Sequence, residues 1–339
     1  MKALVLYGKD GQYGYEENWP EPELRPGWVI VRVAQCGICG SDLPRLSSMG
    51  SYRHPMILGH EFSGTVERAN AGSAWEPGTR VAILPIIPCG GCRWCNQGEP
   101  FLCENRYQFI GSRNDGGFAE FCAVPENNLF RLPDSTDISE GSLIEPMLVA
   151  LNTVRRSGFR AGQTAIVFGA GPIGLLTACW LRVFGASRVT VSDLRRFSLE
   201  LAGRCGFDDL YDSSLEDDGV YTGYDHAFEA AGSGKALLSA VERLNVRGTL
   251  TVVGRDVRDT VIPVGDFEKI MRRGITLKGC WGYKSAGEEA FLYKVLKESR
   301  IPLGRLITHR VPVRDAAGMI ADMVERKLDY CKVVIDFTL

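Results

Sequence analysis

The segment that most constrains the fold is an apolar run followed by a glycine-rich turn and a second apolar run. Residues 164–168 read TAIVF, residues 169–174 read GAGPIG, and residues 175–184 continue as LLTACWLRVF. The β-branched residues of the first run favour a strand, and the longer run after the glycines favours a helix. A strand that enters a helix through such a turn begins a βαβ unit, and repeated βαβ units build a parallel sheet.

An acidic residue follows at the distance expected for a dinucleotide-binding site. A second apolar run, residues 188–192, ends at Asp193, nineteen residues beyond Gly174. In such sites the turn lets the backbone approach a pyrophosphate at the helix N-terminus, and the acid bonds the ribose hydroxyls. The turn residues predicted to contact the coenzyme are Gly169, Gly171, Pro172, Ile173 and Gly174. Asp193 repels a 2′-phosphate and favours NAD, whereas Arg195 and Arg196 would accommodate NADP.

Four cysteines lie close together in a segment rich in turn-forming residues. Residues 89–103 read CGGCRWCNQGEPFLC, with the cysteines at spacings of x2, x2 and x7. The predicted metal ligands are Cys89, Cys92, Cys95 and Cys103. Four thiolates complete the tetrahedral coordination of zinc and leave no position for water or substrate. We therefore predict a structural zinc that orders this loop; a reduced loop without metal and an iron–sulfur cluster are the alternatives.

A second metal site with an open position is predicted from two other segments. Residues 36–42 read CGICGSD, and residues 58–62 read LGHEF. One cysteine, one histidine and a carboxylate make a three-ligand zinc site that leaves a position for substrate, as catalysis requires. Glu145, just before a predicted helix, offers a further carboxylate. Cys36 and Cys39 also fit a CxxC redox pair, which remains an alternative at this point.

Composition limits the kinds of partner that the chain can bind and the cellular compartment in which we expect it. The chain has 339 residues, a net charge of −2 and eleven cysteines. It has no long run of charges of one sign, so we expect no nucleic-acid partner. The apolar run after Lys2 is too short for a signal-peptide core, and glycines interrupt the only long uncharged segment, so we expect neither export nor a membrane partner. Clustered cysteines without an export signal indicate the cytoplasm.

The distribution of strand and helix patterns predicts two domains. Residues 1–147 contain short alternating segments with frequent glycine and proline, which indicates a β-rich domain that carries both metal sites. Residues 148–282 alternate strand and helix patterns, which indicates a doubly wound parallel sheet. Residues 283–339 are predicted to rejoin the first domain. The predicted fold class is α/β.

Together these motifs resemble the zinc-containing medium-chain dehydrogenase/reductase family over essentially the full length. The resemblance implies a GroES-like first domain, a Rossmann second domain, hydride transfer to NAD, two zinc ions per chain, and a homodimer or homotetramer. It is closer to the polyol branch, because Glu145 stands where alcohol dehydrogenases proper usually have a cysteine. It implies a catalytic zinc held by Cys39, His60 and Glu145, with Glu61 beside it as a neighbour or alternate ligand.

The chain departs from the family at one position. Many members have a histidine five residues past the zinc cysteine, which forms the outer part of a proton relay. Pro44 occupies that position here. The resemblance then implies that Ser41 passes the proton to water, to the coenzyme ribose or to another group.

The substrate expectation follows from members of the polyol branch that oxidise galactitol phosphate. The chain resembles them at residues 39–45, 58–64 and 109–118 and shares Pro44 with them. The resemblance implies oxidation of galactitol 1-phosphate to tagatose 6-phosphate. A planar guanidinium matches phosphate oxygens, and Arg45 and Arg113 are the candidates. A free polyol of the sorbitol or xylitol type would need only hydroxyl partners and is the alternative substrate.

Overall fold

The computed structural model describes residues 1–215, 221–255, 258–284, 287–298 and 300–339. The chain divides into two compact units. Unit 1 comprises Met1–Glu145, Lys284–Ser299 and Ile307–Leu339, and unit 2 comprises Pro146–Tyr283 and Arg300–Leu306. The prediction placed all of 283–339 in the first domain. Arg300–Leu306 lies instead in unit 2, where Leu303 and Leu306 are buried and Arg305 donates to the backbone carbonyl of Arg204.

The strands, in chain order, are β1 (Ala3–Leu6), β2 (Tyr13–Glu16), β3 (Trp28–Gly37), β4 (Met56–Ile57), β5 (Glu61–Ala69), β6 (Arg80–Ile83), β7 (Ile86–Ile87), β8 (Gln108–Phe109), β9 (Phe121–Pro125), β10 (Leu129–Arg131), β11 (Thr164–Phe168), β12 (Arg188–Asp193), β13 (Leu210–Asp212), β14 (Tyr224–Glu229), β15 (Leu244–Val252), β16 (Thr276–Gly279), β17 (Ile307–Pro312) and β18 (Lys332–Asp336).

The α-helices are α1 (Asp42–Pro44), α2 (Arg93–Asn96), α3 (Ile144–Ser157), α4 (Pro172–Val183), α5 (Arg196–Arg204), α6 (Gly234–Arg243), α7 (Val264–Arg273), α8 (Glu289–Lys297) and α9 (Ala316–Val324). A π-helical turn, Arg45–Met49, follows α1 directly. Short 3₁₀ segments occupy Pro100–Leu102, Glu126–Asn128, Ile138–Leu143, Leu303–Leu306 and Val313–Asp315. Within the described residues, no helix combines the length and apolar character needed to cross a membrane.

Unit 1 is built on a seven-stranded sheet in the order β10-β6-β5-β3-β18-β17, with β9 also paired to β3. The long strand β3 alternates apolar residues that enter the core, among them Val29, Val31 and Val33, with more exposed positions such as Arg32. Consecutive residues are buried as well, such as Ile30 between Val29 and Val31, so most of this strand lies inside the core of unit 1. Strand β18 pairs with β3 near its C-terminal end, so the last part of the chain lies beside the segment that leads to Cys39.

Unit 2 is built on a six-stranded parallel sheet in the order β13-β12-β11-β14-β15-β16. Counted from β11, the order is 3-2-1-4-5-6, which is that of the doubly wound dinucleotide-binding fold. The predicted strand TAIVF is β11, and its residues 165–168 are buried. Helix α4 begins at Pro172, directly after the glycine turn, where proline's fixed φ suits a first helical residue. The strand–turn–helix prediction is therefore confirmed.

Candidate active site

Cys39 lies in a tight loop just past the end of β3. The Asp42 carboxylate accepts a hydrogen bond from the Cys39 backbone amide at 3.0 Å, and the Asp42 amide donates back to the Cys39 carbonyl at 3.0 Å. The Cys39 Sγ accepts from the Ser41 hydroxyl at 3.3 Å and from the Ser41 amide at 3.5 Å. These two contacts fix the position of the sulfur, the atom through which cysteine binds a metal.

His60 and Glu61 lie at the start of β5, next to the Cys39 loop. Gly59 precedes them with φ of +92°, and a Cβ there would lie 2.5 Å from the Phe118 ring and 2.7 Å from the Cys36 Sγ. Only glycine fits this approach. Ligand atoms of Cys39, His60 and Glu61 lie within 4.8 Å of one another. With zinc–ligand bonds of about 2.0–2.3 Å, such a group can hold one zinc ion.

The charges around His60 also suit a cation. Its Nδ1 lies 3.4 Å from the Asp42 Oδ1 in a nearly fully buried pair. Burial acts to lower the pKa of His60, but the negative charges of Asp42 and Cys39 outweigh it and raise the pKa well above its usual value. The pKa of Glu145 is raised to about 7, mainly by burial and further by the charges of Glu61 and Asp42. Acidic groups are therefore in excess here, and a divalent cation would offset them.

Two buried carboxylates differ in their partners. Glu61 accepts from the Lys332 ammonium, and both side chains are about 2–3% exposed. Lys332 also lies 3.4 Å from the Ile38 carbonyl oxygen. Glu145, in the first turn of α3, belongs to no three-residue ligand group and to no ion pair among the described residues. The structure thus groups Glu61 with Cys39 and His60 and leaves Glu145, the predicted third ligand, nearby without a direct ion pair among the described residues.

Lys332 is the functional candidate that sequence reasoning missed. It is the first residue of β18, in the otherwise apolar segment KVVI, and is 2% exposed. A buried lysine requires a partner charge, since an unpaired ammonium in the interior is strongly unfavourable. That polar residue at the start of an apolar strand was the signal in the sequence. Its partner, Glu61, is 271 residues away.

The four-cysteine lobe brings its sulfur atoms together. The Cys92 and Cys95 sulfurs are 3.4 Å apart, and the Cys89 and Cys95 sulfurs are 3.8 Å apart. A tetrahedral zinc with Zn–S bonds of about 2.3 Å has S···S edges of about 3.8 Å. Hydrogen bonds from the Gly91 amide and the Asn105 side chain lower the pKa of Cys89 to about 6, which favours the thiolate. All four sulfurs, including that of Cys103, lie within 4.8 Å of one another.

We expect Cys95→Ser to remove one zinc ion per chain and to leave the catalytic site occupied. Three thiolates bind zinc more weakly than four, and the lobe has few buried apolar residues to hold it without metal. Zinc per chain, measured by atomic emission after dialysis, should fall from about two to about one. Asn96→Ala, at an exposed non-ligand position of the same lobe, should retain both ions. Full zinc content in Cys95→Ser would show that the lobe holds no structural ion.

The glycine turn of unit 2 is closely packed. A Cβ on Gly174 would lie 1.7 Å from the Gly169 carbonyl oxygen, whereas one on Gly171 would meet no atom within 4 Å. Gly169 has φ of +98° and packs against the backbone of Ala230 and Ala231. The packing of the turn therefore requires glycine at 169 and 174. At Gly171, directly before the N-terminus of α4, the turn leaves open space instead. That opening is where a pyrophosphate would lie.

Asp193 ends β12 beside this turn. Its Oδ2 accepts from the Ala170 amide at 2.8 Å, and its Oδ1 accepts from the Arg195 amide at 2.8 Å. The Arg195 guanidinium lies 3.7 Å from the same Oδ1. The carboxylate is thus fixed in orientation, with the Arg195 side chain, 48% exposed, at its edge. Pro172 and Ile173 form the first turn of α4, as the sequence predicts.

Arg45 and Arg113, the two candidate substrate residues, meet at one aromatic ring. The guanidinium carbon of Arg45 lies 5.1 Å from the ring centroid of Tyr52, and that of Arg113 lies 4.1 Å from it. Arg45 sits at the start of the π-helical turn, and its Nη1 donates to the Gly50 carbonyl at 3.5 Å. Among the described residues, neither arginine forms an ion pair with a carboxylate.

Two family models match most of the chain. The model described as Alcohol dehydrogenase GroES-like domain matches residues 25–134, and the one described as Zinc-binding dehydrogenase matches residues 172–298. The chain belongs to the zinc-containing medium-chain dehydrogenase family. This dehydrogenase is therefore an oxidoreductase that acts on CH–OH groups, with a GroES-like domain and a Rossmann-like parallel sheet. The predicted family and fold class are confirmed.

Relatives of the dehydrogenase differ in their substrates. Galactitol 1-phosphate 5-dehydrogenase of Escherichia coli K12 is 34% identical over 312 residues, which cover 88% of this chain and 90% of the relative. L-threonine 3-dehydrogenase of Rhizobium johnstonii is 31% identical over 352 aligned positions, with 99% of each chain covered. What these relatives share with the dehydrogenase is the oxidation of an alcohol.

Solved structures resemble it over the whole chain. The crystal structure of galactitol-1-phosphate dehydrogenase from Escherichia coli has a TM-score of 0.91 and 32% identity, with coverage of 99% of this chain and 100% of that one. A zinc-binding dehydrogenase from Sinorhizobium meliloti 1021, bound to NADP, has a TM-score of 0.90 and 30% identity, with 99% and 98% covered.

Proposed function

We propose that this dehydrogenase oxidises the secondary alcohol of a polyol phosphate to a ketose phosphate, with zinc and NAD. The specific reaction is galactitol 1-phosphate to tagatose 6-phosphate. The observation that carries the proposal is the convergence of Arg45 and Arg113 on Tyr52, in the same unit as the Cys39 cluster. Two guanidinium groups without carboxylate partners suit a doubly charged phosphate. The 34% identical relative named for galactitol 1-phosphate supports the same substrate.

We assign the two predicted zinc ions to unit 1, as the catalytic domain, and the coenzyme to unit 2. Cys39, His60 and Glu145 would hold the catalytic ion, and the four-cysteine lobe the structural one. Glu145 is favoured as third ligand because the charge of Glu61 is already compensated by Lys332. Glu61 would then be the alternate ligand. Bound there, zinc acts as a Lewis acid that lowers the pKa of the substrate hydroxyl.

Ser41 is the chain's own hydroxyl beside this cluster. Its Oγ lies 3.3 Å from the Cys39 Sγ, so it is within reach of a group bound at the same metal. It would accept the proton that leaves the substrate hydroxyl. Pro44 carries no exchangeable proton, so the next acceptor is water or the coenzyme ribose.

We propose NAD as the coenzyme because Asp193 presents a fixed negative charge where the adenosine ribose would lie. An NADP-bound relative of 30% identity shows that the fold also accepts the phosphorylated coenzyme. Here a 2′-phosphate would meet the Asp193 carboxylate, which two backbone amides hold in place. Arg195 would offset part of that repulsion.

Asp193→Asn should shift the preference towards NADP. The substitution keeps an oxygen acceptor for one backbone amide and removes the repulsive charge, so the ratio of kcat/KM for NADP to that for NAD should rise by about 100-fold, or about 2.7 kcal/mol. Steady-state kinetics with both coenzymes measure this ratio. Glu268→Gln, which neutralises an exposed acid on α7, should leave the ratio unchanged. No change in Asp193→Asn would mean that another group selects the coenzyme.

The substrate proposal is tested with matched pairs of polyols. NAD reduction by the zinc-loaded protein is measured on galactitol 1-phosphate against galactitol, sorbitol 6-phosphate against sorbitol, and xylitol. We expect kcat/KM at least about 100-fold higher for a phosphorylated member, which corresponds to about 2.7 kcal/mol. Equal or better turnover of the free polyols would contradict the phosphate proposal. It would favour a dehydrogenase of the sorbitol or xylitol type and leave the metal and coenzyme assignments in place.

We also propose that the chain forms a homodimer or homotetramer and works in the cytoplasm. Along one face of α7, Val264 is 77%, Phe267 52% and Met271 59% exposed, and Leu277 of the edge strand β16 is 51% exposed. Exposed apolar side chains on one helix face and on an edge strand favour contact with another chain. Light scattering should give at least twice the chain mass of 37.3 kDa. A mass of one chain would contradict the proposal.

A further inference from the structure

Tyr52 is the common contact of the two arginines proposed to bind phosphate. Arg45 and Arg113 are 68 positions apart in the sequence, and each places its guanidinium within cation–π distance of this one ring. The face of a tyrosine ring attracts a guanidinium electrostatically. Without that ring the two like charges would repel each other and separate.

The separation of the two guanidinium groups suits a single phosphate. From the two distances to the ring, 5.1 Å and 4.1 Å, their carbons are at most about 9 Å apart. A guanidinium that donates hydrogen bonds of about 2.8 Å to a phosphate places its carbon roughly 4 Å from phosphorus. Two groups within this bound can share one phosphate when a small movement of either side chain brings both to the solvent side of the ring.

Neighbouring charges leave this pair available to a ligand. Asp115, the acid of the adjoining loop, is already paired with Arg53 at 2.8 Å. Tyr52 itself is 61% exposed, so a ligand in solution can reach the ring and both guanidinium groups. The one hydrogen bond of Arg45 within this loop, to the Gly50 carbonyl at 3.5 Å, is long and leaves its other donors free to bind an anion.

A continuous set of ring contacts joins this pair to the Cys39 cluster. The His60 ring lies 5.5 Å from the Phe109 ring, and Phe109 lies 6.2 Å from Tyr107. Tyr107 in turn lies 5.9 Å from the guanidinium carbon of Arg113. A row of aromatic side chains within unit 1 thus connects the Cys39 cluster to the arginine pair. The inference presumes that a substrate bound at the metal extends its phosphate along these rings.

We propose that Tyr52 is a positioning residue that sets the preference for phosphorylated polyols by holding Arg45 and Arg113 together as one anion-binding pair. The inference rests on the proposed function, because it presumes a phosphorylated substrate. Tyr52 acts through the arginines, and its ring face, rather than its hydroxyl, is the feature that matters.

The test compares Tyr52→Leu with Tyr52→Phe. The first removes the aromatic face and the second keeps it. We measure kcat/KM for galactitol 1-phosphate and for galactitol with the zinc-loaded enzyme, and the Kd of inorganic phosphate by calorimetry. In Tyr52→Leu the ratio of the two kcat/KM values should fall about tenfold, mainly through KM, and phosphate should bind about tenfold more weakly. Tyr52→Phe should leave both the ratio of kcat/KM values and the Kd of phosphate near the wild-type values.

Two further variants separate the possible failures. Arg68→Leu removes an exposed cation of unit 1 that pairs with Glu21, and it should keep the wild-type ratio. When Tyr52→Leu is added to Arg113→Leu, the ratio of the two kcat/KM values should change little further. The arginine pair is already lost in that background, so the ring has only Arg45 left to hold. A wild-type ratio in Tyr52→Leu, with phosphate preference still present in the wild type, would overturn the inference alone. A wild-type enzyme without that preference would overturn the proposed substrate and this inference together.

Discussion

His60→Gln is expected to lower kcat/KM for the alcohol by at least about 1,000-fold. A metal that acts as a Lewis acid contributes several kcal/mol to the transition state, and each 1.36 kcal/mol is a factor of ten in rate. The substitution removes one of the ligand atoms that lie within 4.8 Å of one another. It also leaves Asp42 without the imidazole that lies 3.4 Å from its carboxylate. The remaining cluster is therefore both short of a ligand and more strongly negative.

Zinc content separates loss of the metal from loss of the fold. Atomic emission should find about one zinc per chain in His60→Gln, because the four-cysteine lobe does not depend on His60. His309→Gln is the matched control, since His309 is half-buried in β17 and contacts the Thr308 hydroxyl at 3.0 Å. It should keep both ions and the wild-type rate. Retention of two zinc ions and of more than a tenth of the activity in His60→Gln would contradict its assignment as a ligand.

Gly174→Ala is expected to weaken NAD binding by at least about 100-fold and to lower the melting temperature. The new Cβ would lie 1.7 Å from the Gly169 carbonyl oxygen, so the turn or the start of α4 must move. Overpacking of this kind typically costs about 1–3 kcal/mol of stability, which lowers the melting temperature. The loss of affinity comes from displacement of the backbone that approaches the pyrophosphate, and a factor of 100 corresponds to about 2.7 kcal/mol of binding free energy. Fluorescence titration with NADH and thermal unfolding measure the two effects.

Gly171→Ala separates the two reasons for glycine in this turn, which are the packing of the turn itself and the approach of its backbone to the pyrophosphate. A Cβ at 171 meets no protein atom within 4 Å, so the melting temperature should stay near that of the wild type. Affinity for NADH should still fall, because the methyl group would occupy the space through which the backbone approaches the pyrophosphate. Gly265→Ala in α7, also with open space, should change neither quantity. An unchanged melting temperature in Gly174→Ala would show that the turn can relax at low cost.

The features that the sequence predicted well are those encoded over short distances. The turn at 169–174 and the approach of four cysteine sulfurs at 89–103 are set by local spacing, because each forms within one segment. The zinc ion in that lobe stays a prediction. Cys39 and His60 come from two segments, and the family resemblance joined them. The parallel, doubly wound character of the sheet in unit 2 also follows from the alternation of strand and helix patterns.

The features that sequence reasoning missed depend on contacts between distant segments. No local period indicates that Lys332 pairs with Glu61, or that Tyr52 lies against both Arg45 and Arg113. These contacts are set by the order of strands in a sheet and by the path of a loop, and many sequences are compatible with each. Arg300–Leu306 is a similar case, since its place in unit 2 depends on the packing of buried leucines. The choice between Glu61 and Glu145 as third zinc ligand depends on Lys332, because this lysine compensates the charge of Glu61.

The position of Lys332 in the last strand has a consequence for biosynthesis. Glu61 and Lys332 are separated by 271 residues, and β18 must insert between β3 and β17 to bring them together. At about 5–20 residues per second, a ribosome needs roughly 15 to 50 s to make that interval. Throughout this time the nascent chain carries Cys39, His60 and Glu61 without the ammonium that balances them. Residues 146–283 are translated before Lys332, so Glu61 is expected to gain its balancing ammonium only after unit 2 has been synthesised.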